Sequence, residues 1–210
     1  MQSTAKENIL QKIKKALEIP VPLPFPEVNT KNTIYPTPTD DLKTIFTTVF
    51  TGLLGKLQWF EQSENMVKQF LILAEAQGWK EIYCAEPELK NIFDEYGFVN
   101  FSKKNIAEAD VAITSCEALV ARTGTILLSS NLPEGRTASV YAPVHLCIAF
   151  SNQLVYDNGD ALSFIQNKYP KQLPSMLCFA TGPSRTADIE KTLVVGVHGP
   201  KEVFCFIIDQ

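Results

Sequence analysis

The sequence predicts an α/β protein whose mixed, mainly parallel β-sheet is covered by helices on both faces. Three observations carry that prediction. From Asp40 onward, amphipathic helical patterns alternate with short apolar runs of strand length. The first half is built of strand-helix-strand units of about 30 residues, the length that a crossover between parallel strands needs. The second half holds more strands than helices, which brings antiparallel pairs to join the parallel sheet.

Taken in order, Ser3 to Leu17 places Ile9, Leu10, Ile13, Ala16 and Leu17 at helical spacing among Lys and Glu, with Ser3 or Thr4 as N-cap. Ile19 to Pro38 is proline-rich and suits neither a helix interior nor a central strand, so it reads as an extended arm. The arm either lies over the domain or reaches a neighbouring subunit of a homo-oligomer. The chain therefore divides into a helix and arm over residues 1–38 and an α/β domain over residues 39–210.

In the domain, Asp40 or Asp41 caps a helix reaching about Leu54, Gln58 to Phe60 form a strand, and Ser63 to Gln77 form a helix stopped by Gly78. A strand at Glu81 to Cys84 leads to a helix over Pro87 to Tyr96, with proline at its start and Gly97 after its end. A short strand near Val99 and another at Val111 to Thr114 follow, and Cys116 to Val120 reads as helix-like. Further strands are expected at Thr125 to Ser129, Ser139 to Tyr141, His145 to Phe150, Met176 to Ala180, Leu193 to Val197 and Val203 to Ile208, with one helix near Gly159 to Lys168.

Composition narrows the function. With 45% hydrophobic and 20% charged residues, the 210-residue chain has enough apolar surface for a sizeable core without staples. A net charge of -4 and a pI near 5.3 argue against a nucleic-acid surface, which needs a concentrated basic face. The longest apolar runs fall far short of a membrane span and the start lacks an apolar signal core, so a cytoplasmic protein is expected. Cys84, Cys116, Cys147, Cys178 and Cys205 are widely spaced, with no C-x-x-C and no Cys/His cluster. They read as buried reduced thiols, and no metal site or cofactor of the chain's own is expected.

Three segments can carry chemistry. In Arg122-Thr123-Gly124-Thr125, glycine permits a positive φ and the threonines offer donors to an anion, although a plain tight turn explains the same residues. In Thr181-Gly182-Pro183-Ser184-Arg185-Thr186-Ala187-Asp188, a glycine, hydroxyls and an arginine follow an apolar strand and make a natural anion cradle. Arg185 is the cation expected to fork onto a carboxylate or phosphate; the competing reading pairs it with Asp188 in a capped turn. The third segment is Gly196-Val197-His198-Gly199, whose histidine is either an acid-base group or a turn residue bonded to backbone. His145 enters a very apolar strand and reads chiefly as a satisfied buried imidazole, and Arg136 is a further candidate cation. Loops Thr123 to Thr125 and Thr181 to Asp188 are expected to converge at the carboxyl edge of the sheet, where open α/β sheets bind ligands. No hydrolase, Walker or dinucleotide motif is present.

The order of these segments closely resembles the LUD (lactate-utilization) family. The most specific match is Thr181-Gly182-Pro183-Ser184-Arg185-Thr186-Ala187-Asp188-Ile189-Glu190, then Val195-Gly196-Val197-His198-Gly199-Pro200. Ala109-Asp110-Val111-Ala112-Ile113-Thr114 through Thr123-Gly124-Thr125, then Arg136 and Pro143-Val144-His145, match in the same order, so the resemblance covers about residues 40–210. It implies a three-layer fold like that of ribose-phosphate isomerase, glucosamine-phosphate deaminase and the CoA transferases. It also implies a place in a system oxidising L-lactate to pyruvate, where partner proteins carry the iron-sulfur clusters. Taken with the anion-cradle residues, the first reading is an accessory domain that binds a small anionic metabolite, a carboxylate or phosphate, or else a partner surface, and performs no redox step itself. The competing reading is a free-standing enzyme acting on a phosphosugar or CoA ester. Many family members carry an acidic residue before the Thr-Gly or Ser-Gly pair; Arg122 stands there in this chain, and Glu117 is the carboxylate closest by, which with His198 makes the candidate catalytic set.

Overall fold

The computed structural model describes residues 4–18, 35–186 and 194–210. The chain forms two compact units, residues 1–37 and 38–210. The first contains helix α1 (Ala5–Leu17), which Thr4 starts with a capping box: its hydroxyl accepts the Glu7 N–H, and its own N–H donates to the Glu7 carboxylate at 2.7 Å. The proline arm expected after it falls, from residue 19 to 34, outside the described residues.

In chain order the second unit runs α2 (Leu42–Gly52), β1 (Lys56–Phe60), α3 (Ser63–Gln77), β2 (Ile82–Cys84), α4 (Pro87–Glu95), β3 (Val111–Thr114), β4 (Ala118–Val120), β5 (Thr125–Ser129), α5 (Ala138–Tyr141), β6 (Val144–Phe150), β7 (Leu154–Val155), α6 (Asn158–Lys168), β8 (Leu177–Ala180), β9 (Arg185–Thr186), β10 (Val194–Val195) and β11 (Glu202–Ile208). A five-stranded sheet in the order β1-β11-β6-β3-β2 is parallel at every pairing. Its central strands β6 and β11 are apolar nearly throughout because both faces are covered. On one face, Val111, Ile113, Leu146, Ile148, Phe204 and Phe206 pack under Met66 and Phe70 of α3 and Leu89 and Phe93 of α4. The other face, with Cys147, Ala149, Cys205 and Ile207, meets Phe46 and Phe50 of α2 and Leu119, Ile126 and Leu128 of a second sheet.

In that second sheet, β7-β4-β5-β8, β5 pairs antiparallel with β4 and β8 while β7 runs parallel to β4, and β9 and β10 form a separate antiparallel pair. The expectation that antiparallel strands join the parallel sheet is corrected: the second sheet is a layer of its own, whose outer surface α6 covers through Ala161 and Ile165. Burial explains two further corrections. Ala118, Leu119 and Val120 are enclosed by packed layers on both sides, so the helix-like segment is strand β4. Ser139 to Tyr141 belongs to a helical turn, closed by the Ala138 amide on Glu134 and the Tyr141 amide on Thr137. No strand forms near Val99, because the Phe98 amide returns to the Phe93 carbonyl and Phe98 and Phe101 pack edge-on around Phe93. Elsewhere the helix from Ser63 to Gln77 stops at Gly78, whose φ of 70° permits the left-handed cap.

Candidate functional site

Strands β2, β3 and β6 end side by side, and the segments leaving them enclose a cleft of about 440 Å3 at the carboxyl edge of the parallel sheet. Glu86 and Glu88 come from the start of α4, Ser115 and Cys116 follow β3, Phe150 and Gln153 follow β6, Asn131 and Leu132 follow β5, and Lys168 ends α6. Gln153 ties two of these segments together, accepting the Phe150 N–H at 2.7 Å and donating to the Cys116 carbonyl at 2.6 Å.

Glu117, completely buried, lies beside this cleft. Its carboxylate accepts from Ser129 Oγ at 2.5 Å, Lys168 Nζ at 2.7 Å and Tyr169 OH at 2.9 Å. A buried carboxylate so surrounded has its charge matched and its lone pairs used. Partial burial disfavours the Lys168 charge, yet the Glu117 carboxylate outweighs it and holds the ammonium above the ordinary lysine range. Lys168 remains 44% exposed, so its other N–H donors are open to the cleft.

Glu86 occupies the N-cap position of α4 without capping it. It is only 6% exposed, and its Oε1 accepts the Ser115 N–H at 2.7 Å. Burial pushes this carboxyl above the usual range against the pull of the Ser115 hydrogen bond, and the charges of Glu88 and Glu117 push the same way. Behind the cleft wall, the Cys116 and Cys147 thiols sit well above the ordinary cysteine range, Cys116 through its contact with Cys147 and then burial. The five cysteines are free, as expected, and four are buried.

The two loops singled out in the sequence do converge. Thr125 Oγ1 is 2.8 Å from both Thr123 Oγ1 and Thr181 Oγ1, a continuous hydroxyl chain. Their position, however, corrects the expected one. Gly124 (φ 60°) and Gly182 (φ 74°) press against the end of α2, where an added Cβ would come within 2.9 Å of the Phe50 N and the Leu53 carbonyl oxygen respectively. Arg185 donates to that same Leu53 carbonyl. Since α2 leads through Gly55 directly into the first residue of β1, the loops lie at the amino edge of the parallel sheet. The rule for parallel strands does not govern them, because they belong to the antiparallel pair β5 and β8.

The remaining sequence candidates are dispersed. Arg122 pairs with Asp157 at 2.6 Å, and Arg136 donates to Ser175 Oγ at 2.7 Å. His145 is a buried imidazole 2.8 Å from Thr114 Oγ1, and burial lowers its pKa to about 4. His198 and Ser184 lie with the amino-edge loops: the Ser184 N–H donates to the Pro200 carbonyl, and His198 borders a shallow hollow with Tyr141, Pro143 and Lys201. Asp188 lies outside the described residues. Sequence reading missed Glu86, Lys168 and Tyr169. For Glu86 a signal existed, an acid two residues after a strand and directly before the proline that starts a helix; for Lys168 and Tyr169 there was none.

Fold and cleft together define an α/β protein with a carboxyl-rich site at the strand ends of a parallel sheet. Residues 92–208, more than half the chain, match the LUD domain, and the chain belongs to that family. It is 26% identical over 221 residues to an uncharacterized protein of Neisseria meningitidis, covering 98% of this chain and 94% of the relative. It is 38% identical over 107 residues to lactate utilization protein C of Oceanobacillus iheyensis and 37% identical over 114 residues to that of a Geobacillus strain. Those two matches cover 50% and 51% of this chain and only 46% and 47% of the relatives, so the chain spans about half the length of the lactate utilization proteins it matches. Its fold resembles a crystal structure of a DUF162 family protein from Deinococcus radiodurans, with a TM-score of 0.55 at 18% identity, covering 80% of this chain and 96% of that one. Among the described residues no helix is long and apolar enough to cross a membrane.

Proposed function

We propose that this chain serves lactate utilization as an accessory component that binds a small carboxylate or phosphate metabolite in the carboxyl-edge cleft, while iron-sulfur partner proteins transfer the electrons. The relatives named lactate utilization protein C support the process. The ligand reading is carried by Lys168: an ammonium held charged by Glu117, with donors left over for an anion in the cleft. The amino-edge loops take a structural part in this reading, closing the second sheet onto the end of α2.

Calorimetric titration with L-lactate, pyruvate and a sugar phosphate, on the wild type and Lys168→Gln, tests the ligand. Binding by the wild type that weakens about tenfold or more in the variant is expected, the value of one charge-assisted hydrogen bond. Equal binding by both removes Lys168 from the site. Co-purification under anaerobic conditions tests the partners, and a chain recovered without iron-sulfur proteins counts against them. A cleft of about 440 Å3 also has room for a sugar phosphate or acyl thioester, which favours the enzyme reading as the second choice. Turnover of either substrate class by the purified protein decides between the two.

A further inference from the structure

We propose that Glu86 selects the ligand of this cleft, its outer carboxyl oxygen hydrogen-bonding the oxygen on the carbon next to the ligand's carboxylate, so that 2-oxo and 2-hydroxy acids are preferred to acids lacking that oxygen. The inference rests on the reading of the cleft as a small-acid site and names what that site recognises.

Three features point to it. Glu86 lines the cleft but is almost wholly enclosed, which is rare for a carboxyl without an ion-pair partner. One oxygen accepts the Ser115 amide at 2.7 Å, and the Ser115 hydroxyl is a second neighbour that supports the carboxyl from the same side. The residue stands at the end of β2, beside the segment that follows β3 and carries Glu117, the anchor of Lys168. One wall therefore offers a cation for a carboxylate and a neighbouring wall offers a carboxyl for the adjacent oxygen.

The protonation state follows from what surrounds Glu86. Burial disfavours the anion most, the Ser115 hydroxyl and amide oppose it by favouring the anion, Glu88 on α4 and Glu117 before β4 add negative charge, and the thiols of Cys84 and Cys116 are neutral neighbours. Lys168 across the cleft is already paired with Glu117, and the charge of Lys90 on α4 acts on the Cys84 thiol. A neutral carboxyl donates an O–H to a carbonyl or hydroxyl oxygen, whereas the ionised form repels the ligand's carboxylate. Ligand binding should thus be coupled to a proton on Glu86. No covalent step is involved.

The test is calorimetric titration of wild type and Glu86→Gln with pyruvate, L-lactate and propionate between about pH 5 and about pH 8. For the wild type, affinity for pyruvate and lactate should exceed that for propionate and fall by about tenfold per pH unit above the Glu86 midpoint. Glu86→Gln keeps an N–H donor without a titrating group, so its affinity should be flat with pH. In the unmutated protein, the side-chain carboxyl carbon of Glu86 followed by NMR should titrate at higher pH with pyruvate present than without. Wild-type binding with no pH slope, with no preference over propionate, or with an unmoved Glu86 midpoint overturns the role of Glu86 and leaves the small-acid reading standing. Failure of the wild type to bind any of the three acids overturns both.

Discussion

Glu117 and Lys168 meet at 2.7 Å, the carboxylate at the start of β4 and the ammonium in the last turn of α6. One is completely buried and the other half-exposed, so the pair carries charge from the protein interior to the cleft surface. Ser129 and Tyr169 complete the coordination of the carboxylate, which therefore binds strand, helix end and following loop to one point.

Removing the acceptor should be costlier than removing the cation. Glu117→Ala opens a cavity and strands two hydroxyls, and should destabilise the protein by about 3 kcal/mol. Lys168→Met keeps much of the packing and takes away a partner that solvent already screens, so a loss of about 1 kcal/mol is expected. Urea unfolding of the two variants and the double mutant measures both losses and their coupling. Equal losses would mean that the ion pair, rather than the hydroxyl donors, is what keeps Glu117 buried.

His145 should make the fold sensitive to acid. Its pKa falls from 6.5 to about 4 through burial, so the unfolded chain takes up the proton first as pH drops. The stabilisation is present above about pH 6.5 and is lost as pH falls to about 4, a loss of about 3 kcal/mol from this group alone. Denaturant unfolding from neutral pH to about pH 4 shows the slope, and His145→Gln should flatten it. A variant that keeps the full slope would place the acid sensitivity elsewhere.

Gly124→Ala should destabilise by about 2 kcal/mol or more. The added Cβ meets both a left-handed backbone and the Phe50 amide nitrogen at 2.9 Å, and that backbone cannot retreat as a flexible side chain would. Gly78→Ala, also at positive φ but with nothing within 4 Å, should cost about 1 kcal/mol. Thermal melts of the two variants separate conformational strain from the close approach.

What could be read from the sequence was whatever is decided locally. The α3 helix ends where Gly78 can turn left-handed, and β6 and β11 announce double-sided burial by unbroken apolar runs. Ala118 to Val120 carries no period, so only packing makes it a strand. The separation into two sheets depends on register between distant segments, such as Leu127 against Phe179. For the same reason the sequence shows the Thr-Gly loops but not the edge they occupy, and it shows Glu117 without the Lys168 that defines its role. Turn chemistry is local, whereas a site assembled from β2, β3, β5, β6 and α6 is visible only after folding.

Strand β11, the last of the described strands in chain order, inserts between β6 and β1, so Cys205 is flanked by Cys147 on one side and Leu57 on the other. Until it arrives, a nascent chain has two apolar strand edges with no permanent neighbour, and β1 has no place in the sheet. Such edges recruit other chains. The central sheet therefore closes only once Glu202–Ile208 has been made, and a chain cut short of Glu202 has every described helix and its middle missing.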